Sequence, residues 1–419
     1  MAIDTASTSV FDADLPTLAY DVTETPFEVY GRLREAQQQS PVVMGPVGPE
    51  VLSYEFARAL LRDNRFVIPP GIHLTAQGVT SGPLWDKVVS SIMCKEGTEH
   101  HRLRSLVSRA FTPRATSRLR DTIDDVINNL FDRVDDAGRC DVVADISRSY
   151  PIPIICALLG APPEDWANFA EWAEDIFKLA NFESNLIEEA DAVMRAWAQL
   201  DGYVDEMITE RRKSLTDDLL SELIRAEDHG DRLNADELRM TVASLLLAGT
   251  DTTRNQLSAS VQVLCDHPEQ WAMLTQQPEL AMRAVEESMR HSPAVCSTVR
   301  TVLEDATYDG YTFPAGTFII LNTFAANRDP QVYDDPDSFD ITRETAPAIL
   351  TFGGGIHYCL GANLARMELA GALQVLAKRM PNPRRIGPAP WKPMLGLSGP
   401  IELTVEFDSA TAAQPKETQ

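Results

Sequence analysis

Apolar side chains along most of this 419-residue chain recur every three or four positions, the period of helices buried on one face. Thr25-Pro26-Phe27-Glu28 combines an N-cap, a proline at the first helical position and the glutamate of a capping box. A helix is predicted from there to about Gln38, and a second over 53–63. Helical patterns follow over 99–111, 114–137, 145–159, 163–180, 184–212 and 216–227, with stops at Gly138 and Gly160. Asn234-Ala235-Asp236-Glu237 is another capping box. It opens a pattern that reaches His267, about 33 residues or roughly 50 Å as one helix. From Val242 to Ala248 that helix is apolar nearly all round, so its middle is expected to be buried. Further helices are predicted over 278–291 and 360–379.

Elsewhere the period falls to two. Short strands are expected at 42–43 and 50–52, and a small sheet from 299–303, 312–313 and 317–321. At the end Ile401, Leu403, Val405 and Phe407 alternate with Glu402, Thr404 and Glu406, as in a half-buried strand. No period holds over 67–93, which carries Pro69-Pro70-Gly71, Gly78 and Gly82-Pro83. A loop of that length is either functional and mobile or a solvated insertion. The polar Ala/Ser/Thr-rich ends, 1–15 and 408–419, are expected to be disordered tails. Between them, 16–407 shows no repeat, linker or composition break. One mainly α domain with a small β region follows.

Composition narrows the partners. A net charge of −25, from 37 basic and 62 acidic residues, argues against nucleic acid and anionic membrane surfaces. The six cysteines are scattered without a C-x-x-C pair, a reducing-compartment pattern. Residues 1–9 lack the basic and apolar regions of a signal peptide, and the longest apolar runs are far short of a membrane span. A cytoplasmic protein is expected.

Three stretches carry candidate chemistry. In Phe352-Gly353-Gly354-Gly355-Ile356-His357-Tyr358-Cys359-Leu360-Gly361, consecutive glycines flatten the backbone and a cysteine precedes a predicted helix. Free N–H groups and the helix dipole there favour a thiolate; the bland alternative is a Gly-rich turn before a helix with a buried cysteine. In the buried middle of the long helix lies Ala248-Gly249-Thr250-Asp251-Thr252-Thr253. A glycine there costs about 1 kcal/mol relative to alanine, and mid-helix threonines bond back to carbonyls and bend helices. This is either a kink with a satisfied polar cluster or a helix opened beside a ligand. Finally, Glu287 and Arg290 share a helix face at i, i+3.

Together and in this order, Phe352-Gly-x-Gly-x-His-x-Cys359-x-Gly361, Ala-Gly-x-Asp-Thr-Thr and Glu287-x-x-Arg290 resemble the haem-thiolate monooxygenases, the cytochrome P-450 family in its soluble bacterial form. The resemblance spans about residues 25–407 and implies a triangular, mostly helical fold around haem b. It makes Cys359 the axial ligand of the iron, with the N–H groups near Leu360 and Gly361 bonding the sulfur. His100, Arg104, Arg300 and His357 match the family's propionate-binding positions, and Ala248 and Gly249 its dioxygen groove. Thr252 would donate a hydrogen bond on the oxygen side, and Asp251 would relay protons. Glu287, Arg290 and Arg343 would brace the cysteine loop. Leu245, Ala248, Val295, Cys296 and Leu397 would line an apolar substrate pocket, together with segments 67–93 and 177–188. Where relatives often carry His, three positions before Phe352, this chain has Ile349. With no flavin or iron–sulfur motif, electrons would come from a ferredoxin and its reductase, docking near Arg366, Lys378 and Arg379. The resemblance further implies a monomer that consumes dioxygen and an apolar small molecule.

Overall fold

The structure, a computed structural model, describes residues 7–162, 166–180, 186–228, 233–344 and 347–408. Its first element contradicts an expectation. β1 (Thr8–Ser9) pairs in parallel with β8 (Tyr311–Phe313), and Val10 behind it is fully buried. The tail expected over 1–15 is therefore ordered from Thr8 on, because one apolar side chain anchors a sheet edge. At the other end Asp408 is held by Asn382 at 2.7 Å; residues 1–6 and 409–419 lie outside the described residues.

α1 (Pro26–Gln39) starts at the predicted capping box, with both reciprocal bonds formed. α2 (Tyr54–Leu60) follows. The stretch 67–93 is not loop throughout: it folds α3 (Ile72–Ala76) and α4 (Pro83–Val89), which bury Leu74 and Leu84. Both helices are too short for periodicity to register. Next come α5 (Gly97–Val107), α6 (Pro113–Thr116), α7 (Arg120–Phe131), α8 (Pro151–Leu159), α9 (Trp166–Phe177), α10 (Leu186–Lys213) and α11 (Leu219–Asp228). Among the described residues one segment, Val142–Leu159, is long and apolar enough to cross a membrane; 61% of it is buried in the core.

The long helix is two helices. α12 (Ala235–Ala248) and α13 (Asp251–Asp266) are separated at Gly249-Thr250. Thr250 turns its N–H and hydroxyl to the Leu247 carbonyl, at 3.1 and 2.8 Å, and the Thr252 hydroxyl takes the Ala248 carbonyl at 3.1 Å. Threonine hydroxyls thus replace part of the i→i−4 ladder. Gly249 sits tightly against its neighbour: a Cβ there would lie 3.0 Å from the Ile155 side chain of α8, which would have to shift to admit it.

α14 (Pro268–Gln276), α15 (Ala281–His291), α16 (Thr323–Ala326) and α17 (Ala362–Arg379) complete the helices. The main sheet runs in the order β2 (Val42–Gly45), β3 (Gly48–Val51), β9 (Phe318–Leu321), β6 (Thr298–Val302), β4 (Phe66–Val67). β7 (Ala306–Tyr308) joins β8 and β1. β10 (Arg384–Arg385), β11 (Thr404–Glu406) and β5 (Arg139–Asp141) form a third sheet. In the final strand Leu403, Val405 and Phe407 point inward as predicted, but Ile401, ahead of β11, is 55% exposed. Helices α7, α8, α12, α13 and α17 share the largest apolar core, so the broken helix and the helix after Cys359 sit in the rigid centre of the molecule.

Candidate functional site

Cys359 stands just ahead of α17. Its N–H bonds the Phe352 carbonyl at 2.9 Å, closing a loop that Gly353 N–H to Leu350 (2.8 Å) and Tyr358 N–H to Gly355 (3.2 Å) tighten. Gly353 and Gly355 have φ of 69° and 64°, a region that favours glycine. A Cβ on Gly355 would lie 2.3 Å from the Leu61 carbonyl oxygen, and one on Gly354 3.0 Å from Leu61 Cβ. The glycines therefore let the loop press on the end of α2, which revises the expectation of a flat surface offered to a ligand. What they position is the cysteine.

Among the described cysteines Cys359 alone is exposed, yet the protein packed around it desolvates the thiol. Burial pushes the thiol pKa up, and the Gly361 N–H, Arg104 and Arg366 only partly offset this. The helix end alone thus does not deliver the expected thiolate. A metal cation would, because coordination removes the thiol proton outright.

His100, Arg104, Arg300 and His357 converge. The His100 and His357 rings are 4.5 Å apart. His100 is 4% exposed, and burial, then His357 and Arg104, push its pKa down to about 4. Arg104 donates to the Tyr358 carbonyl. Arg300 is buried with its pKa lowered to about 10 by desolvation. Its Nη1 donates to Thr298 Oγ1 and the Val299 carbonyl at 2.9 and 2.7 Å, and among the described residues its Nε and Nη2 have no bond. Burial likewise lowers the His357 pKa, against a bond of 2.8 Å to Glu96 Oε1. A cavity of about 560 Å³ opens here, lined by Glu96, His100, His101, Arg104, Gly355 and Ile356 among others. A buried guanidinium with donors to spare, Arg300, and the half-buried Arg104 ask for carboxylates.

Ala248, in the middle of the molecule, is exposed, so it faces internal space. Leu245 is nearly buried, and Val295 pairs with Leu397 in an isolated antiparallel bridge. Cys296 is different. It is fully buried, its Sγ 3.4 Å from the Pro293 carbonyl, within the cluster of Leu18, Val29 and Phe324. It lies behind the wall rather than on it, because in an extended stretch successive side chains face opposite ways. Beside Gly361 a Cβ would meet nothing within 4 Å. Ile349 is buried in the core. A thiol donor at one point and a cationic end for two carboxylates fit a haem.

Asp251 is 4% exposed with Oδ1 2.6 Å from Arg254 Nε. Burial raises its pKa, and Arg254 and Lys392 pull it back. Neither Arg254 nor Lys392 carries a sequence motif, so reasoning from the chain alone missed both.

Glu287 and Arg290 form a two-pronged pair, Nε–Oε2 and Nη2–Oε1 both 2.7 Å, with Arg343 Nε 3.4 Å from Glu287. Arg290 also donates to the carbonyls of Pro336, Ser338 and Asn327. The Asn327 side chain in turn holds Leu350 N–H and Thr351 Oγ1 at 2.8 and 2.9 Å. The brace thus reaches the cysteine loop indirectly, through Asn327. The expected docking cations fare less well. Arg366 pairs with Glu286 and stacks over Phe352 at 4.4 Å, and Arg379 pairs with Asp132 and Asp135, both at 2.7 Å. Only Lys378 of the three has no such partner among the described residues.

Comparison with known proteins agrees with this geometry. The family profile described as "Cytochrome P450" matches residues 88–379. The chain is 38% identical to mycinamicin IV hydroxylase/epoxidase of Micromonospora griseorubida over 90% of its length and 94% of the relative's. It is 32% identical to the polyketide biosynthesis cytochrome P450 PksS of Bacillus subtilis, covering 85% and 89%. The crystal structure of CalO2 superposes with a TM-score of 0.87 at 30% identity, covering 94% of this chain and 99% of that one. A cysteine loop ahead of α17, a broken central helix and these relatives converge on one conclusion: the chain belongs to the cytochrome P-450 family and is a monooxygenase of that family.

Proposed function

We propose that this enzyme binds haem b through Cys359, takes two electrons one at a time from a ferredoxin, and hydroxylates an apolar small molecule of the lipid, steroid, terpenoid or polyketide class. The observation that carries the reading is the exposed Cys359 ahead of α17, together with a cavity lined by His100, His101 and Arg104, with the His357 ring 4.5 Å from that of His100. Bound haem would supply dioxygen activation and oxygen-atom transfer. The chain supplies the surroundings. Arg104 and Arg300 neutralise the two propionates, and the Gly361 N–H stabilises the sulfur. Thr252 sits at the helix break, where its hydroxyl can leave the Ala248 carbonyl and donate toward the oxygen side. Asp251, buried and next in sequence, is the group that would relay the proton renewing that donor. The proposed wall residues Leu245, Ala248, Val295 and Leu397 are all apolar, which favours an apolar substrate. The name of the PksS relative supports the polyketide class within that range.

The partner face is proposed to lie on the Cys359 side but on other cations than Arg366 and Arg379. Residues 100–120 hold six arginines and no acid until Asp121. Arg109 and Arg114 are exposed and, among the described residues, unpaired. Asn363, at the start of α17, bonds the Phe111 carbonyl between them at 3.0 Å. An acidic ferredoxin fits that surface.

The deciding experiment is the absorption spectrum of the purified, reduced, CO-treated protein. A thiolate-type Soret shift that Cys359→Ala abolishes is expected. A wild type lacking the shift, or a Cys359→Ala variant keeping it, overturns the reading. Thr252→Ala should retain the shift but divert reducing equivalents to peroxide at the expense of product.

A further inference from the structure

Glu96 is the N-cap residue of α5, where a side-chain oxygen ordinarily accepts a hydrogen bond from the helix's first N–H groups. Here it makes no cap bond. Its carboxylate turns away, with Oε1 2.8 Å from His357 Nε2 and 3.3 Å from the Ile68 N–H. It thereby enters the same basic cluster proposed to hold the cofactor's carboxylates, and it borders the cavity there. Its field is felt by Arg300 and His100 as well.

This arrangement sets a conflict. A neutral imidazole has one N–H to give, and His357 gives it to Glu96. A cofactor carboxylate at His357 needs the same donor. Glu96 also adds a third negative charge to a cluster whose two guanidinium groups, Arg104 and Arg300, match two. The structure offers Glu96 a second place. Gly97 beside it has φ of 56°, with nothing within 4 Å of an added Cβ, and the capping position on α5 is unused. The side chain is part-exposed at 34%, so little packing opposes its rotation.

We infer that Glu96 is an internal competitor for the cofactor's carboxylate site: paired with His357 it promotes cofactor release, and turned onto the α5 N-terminus it permits retention. The Ile68 contact extends the effect. When Glu96 leaves His357, it also releases the end of β4, where the 67–93 segment begins. Cofactor retention and the mobility of that segment are then coupled through one carboxylate. This inference rests on the haem assignment.

The test uses haem-loaded full-length enzyme and follows haem transfer to excess apomyoglobin by the Soret band. Glu96→Gln removes the charge. Glu96→Asp keeps the charge but is one methylene too short to hold His357 while still able to cap α5. Glu99→Gln, on an exposed residue of the same turn, controls for net charge. Glu96→Gln and Glu96→Asp are both expected to slow haem loss about tenfold, the worth of one charge-assisted hydrogen bond, with Glu99→Gln unchanged. Loss at the wild-type rate in both Glu96 variants overturns the inference. So does faster loss, which would make Glu96 a support for His357, or equal slowing by Glu99→Gln, which would reduce the effect to overall charge. A wild-type protein that takes up no haem overturns the cofactor assignment itself, a separate and recognisable outcome.

Discussion

Replacing Arg290 by methionine tests how the cysteine loop is held. Arg290 is 1% exposed and donates to both Glu287 oxygens and to three backbone carbonyls. Methionine fills much of the space but satisfies none of these acceptors. Glu287 would keep only the Asp340 N–H at 2.9 Å and Arg343 at 3.4 Å. Breaking a buried pair from one side costs about 3–5 kcal/mol, because a charge is stranded; about 4 kcal/mol is expected here. Glu287→Gln strands the arginine instead, but its three carbonyl acceptors remain, so roughly 2 kcal/mol is expected. In the double variant no buried charge is stranded. Its loss should fall short of the sum of the singles by more than about 1 kcal/mol. Urea unfolding of the haem-loaded enzyme, followed by far-UV circular dichroism and by the Soret band, measures this, provided the slope is unchanged between variants. Because Arg290 reaches Leu350 and Thr351 through Asn327, the Soret band should be lost at lower urea than the helical signal in Arg290→Met. A loss below about 1 kcal/mol, or singles that simply add, would refute the brace.

Three further outcomes are expected. Gly355→Ala forces a left-handed residue and a Cβ 2.3 Å from the Leu61 carbonyl, so it should cost at least about 2 kcal/mol; Gly202→Ala, in α10 with open space around it, should stabilise by up to about 1 kcal/mol. Denaturation midpoints of the two variants check the contrast. Glu50 is wholly buried between Tyr20 Oη at 2.5 Å and Asn322 Nδ2 at 3.4 Å, and desolvation lifts its pKa from 4.5 to about 7. The folded state therefore holds a proton that the unfolded chain releases between those values, so this group's contribution to stability falls as pH rises from 4.5 to 7 and is flat above. Glu50→Gln should remove that slope, and an unchanged stability–pH curve would show that Glu50 ionises without cost. Reversing both Arg109 and Arg114 to glutamate should slow reduction by a ferredoxin at least tenfold at low salt and less at high salt, while Arg379→Glu should change it little; stopped-flow reduction decides.

How much of this was legible in the chain depends on the range of each interaction. Capping boxes at Thr25 and Asn234 and the Cys359 loop are local, and each forms where its residues predict. The broken helix was half visible. Three hydroxyls and a glycine announce that the ladder weakens at Gly249, but the crowding at position 249 comes from Ile155, nearly a hundred positions away in sequence. The same holds for the glycines before Cys359, whose small size answers to Leu61 and not only to a ligand. Charge was the least legible property. Arg366 and Arg379 read as free cations until the fold set Glu286, Asp132 and Asp135 beside them; within 100–120 the fold likewise pairs Arg102 with Glu237 and Arg118 with Asp217, and leaves Arg109 and Arg114 exposed. Glu96 shows the limit most clearly. In sequence it is an ordinary residue before a helix, and only the approach of the cysteine loop, 261 positions on, turns it from a cap into a rival for His357. Motifs in this chain therefore name the groups that do chemistry, while the residues that restrain those groups are chosen by contacts that no local pattern records.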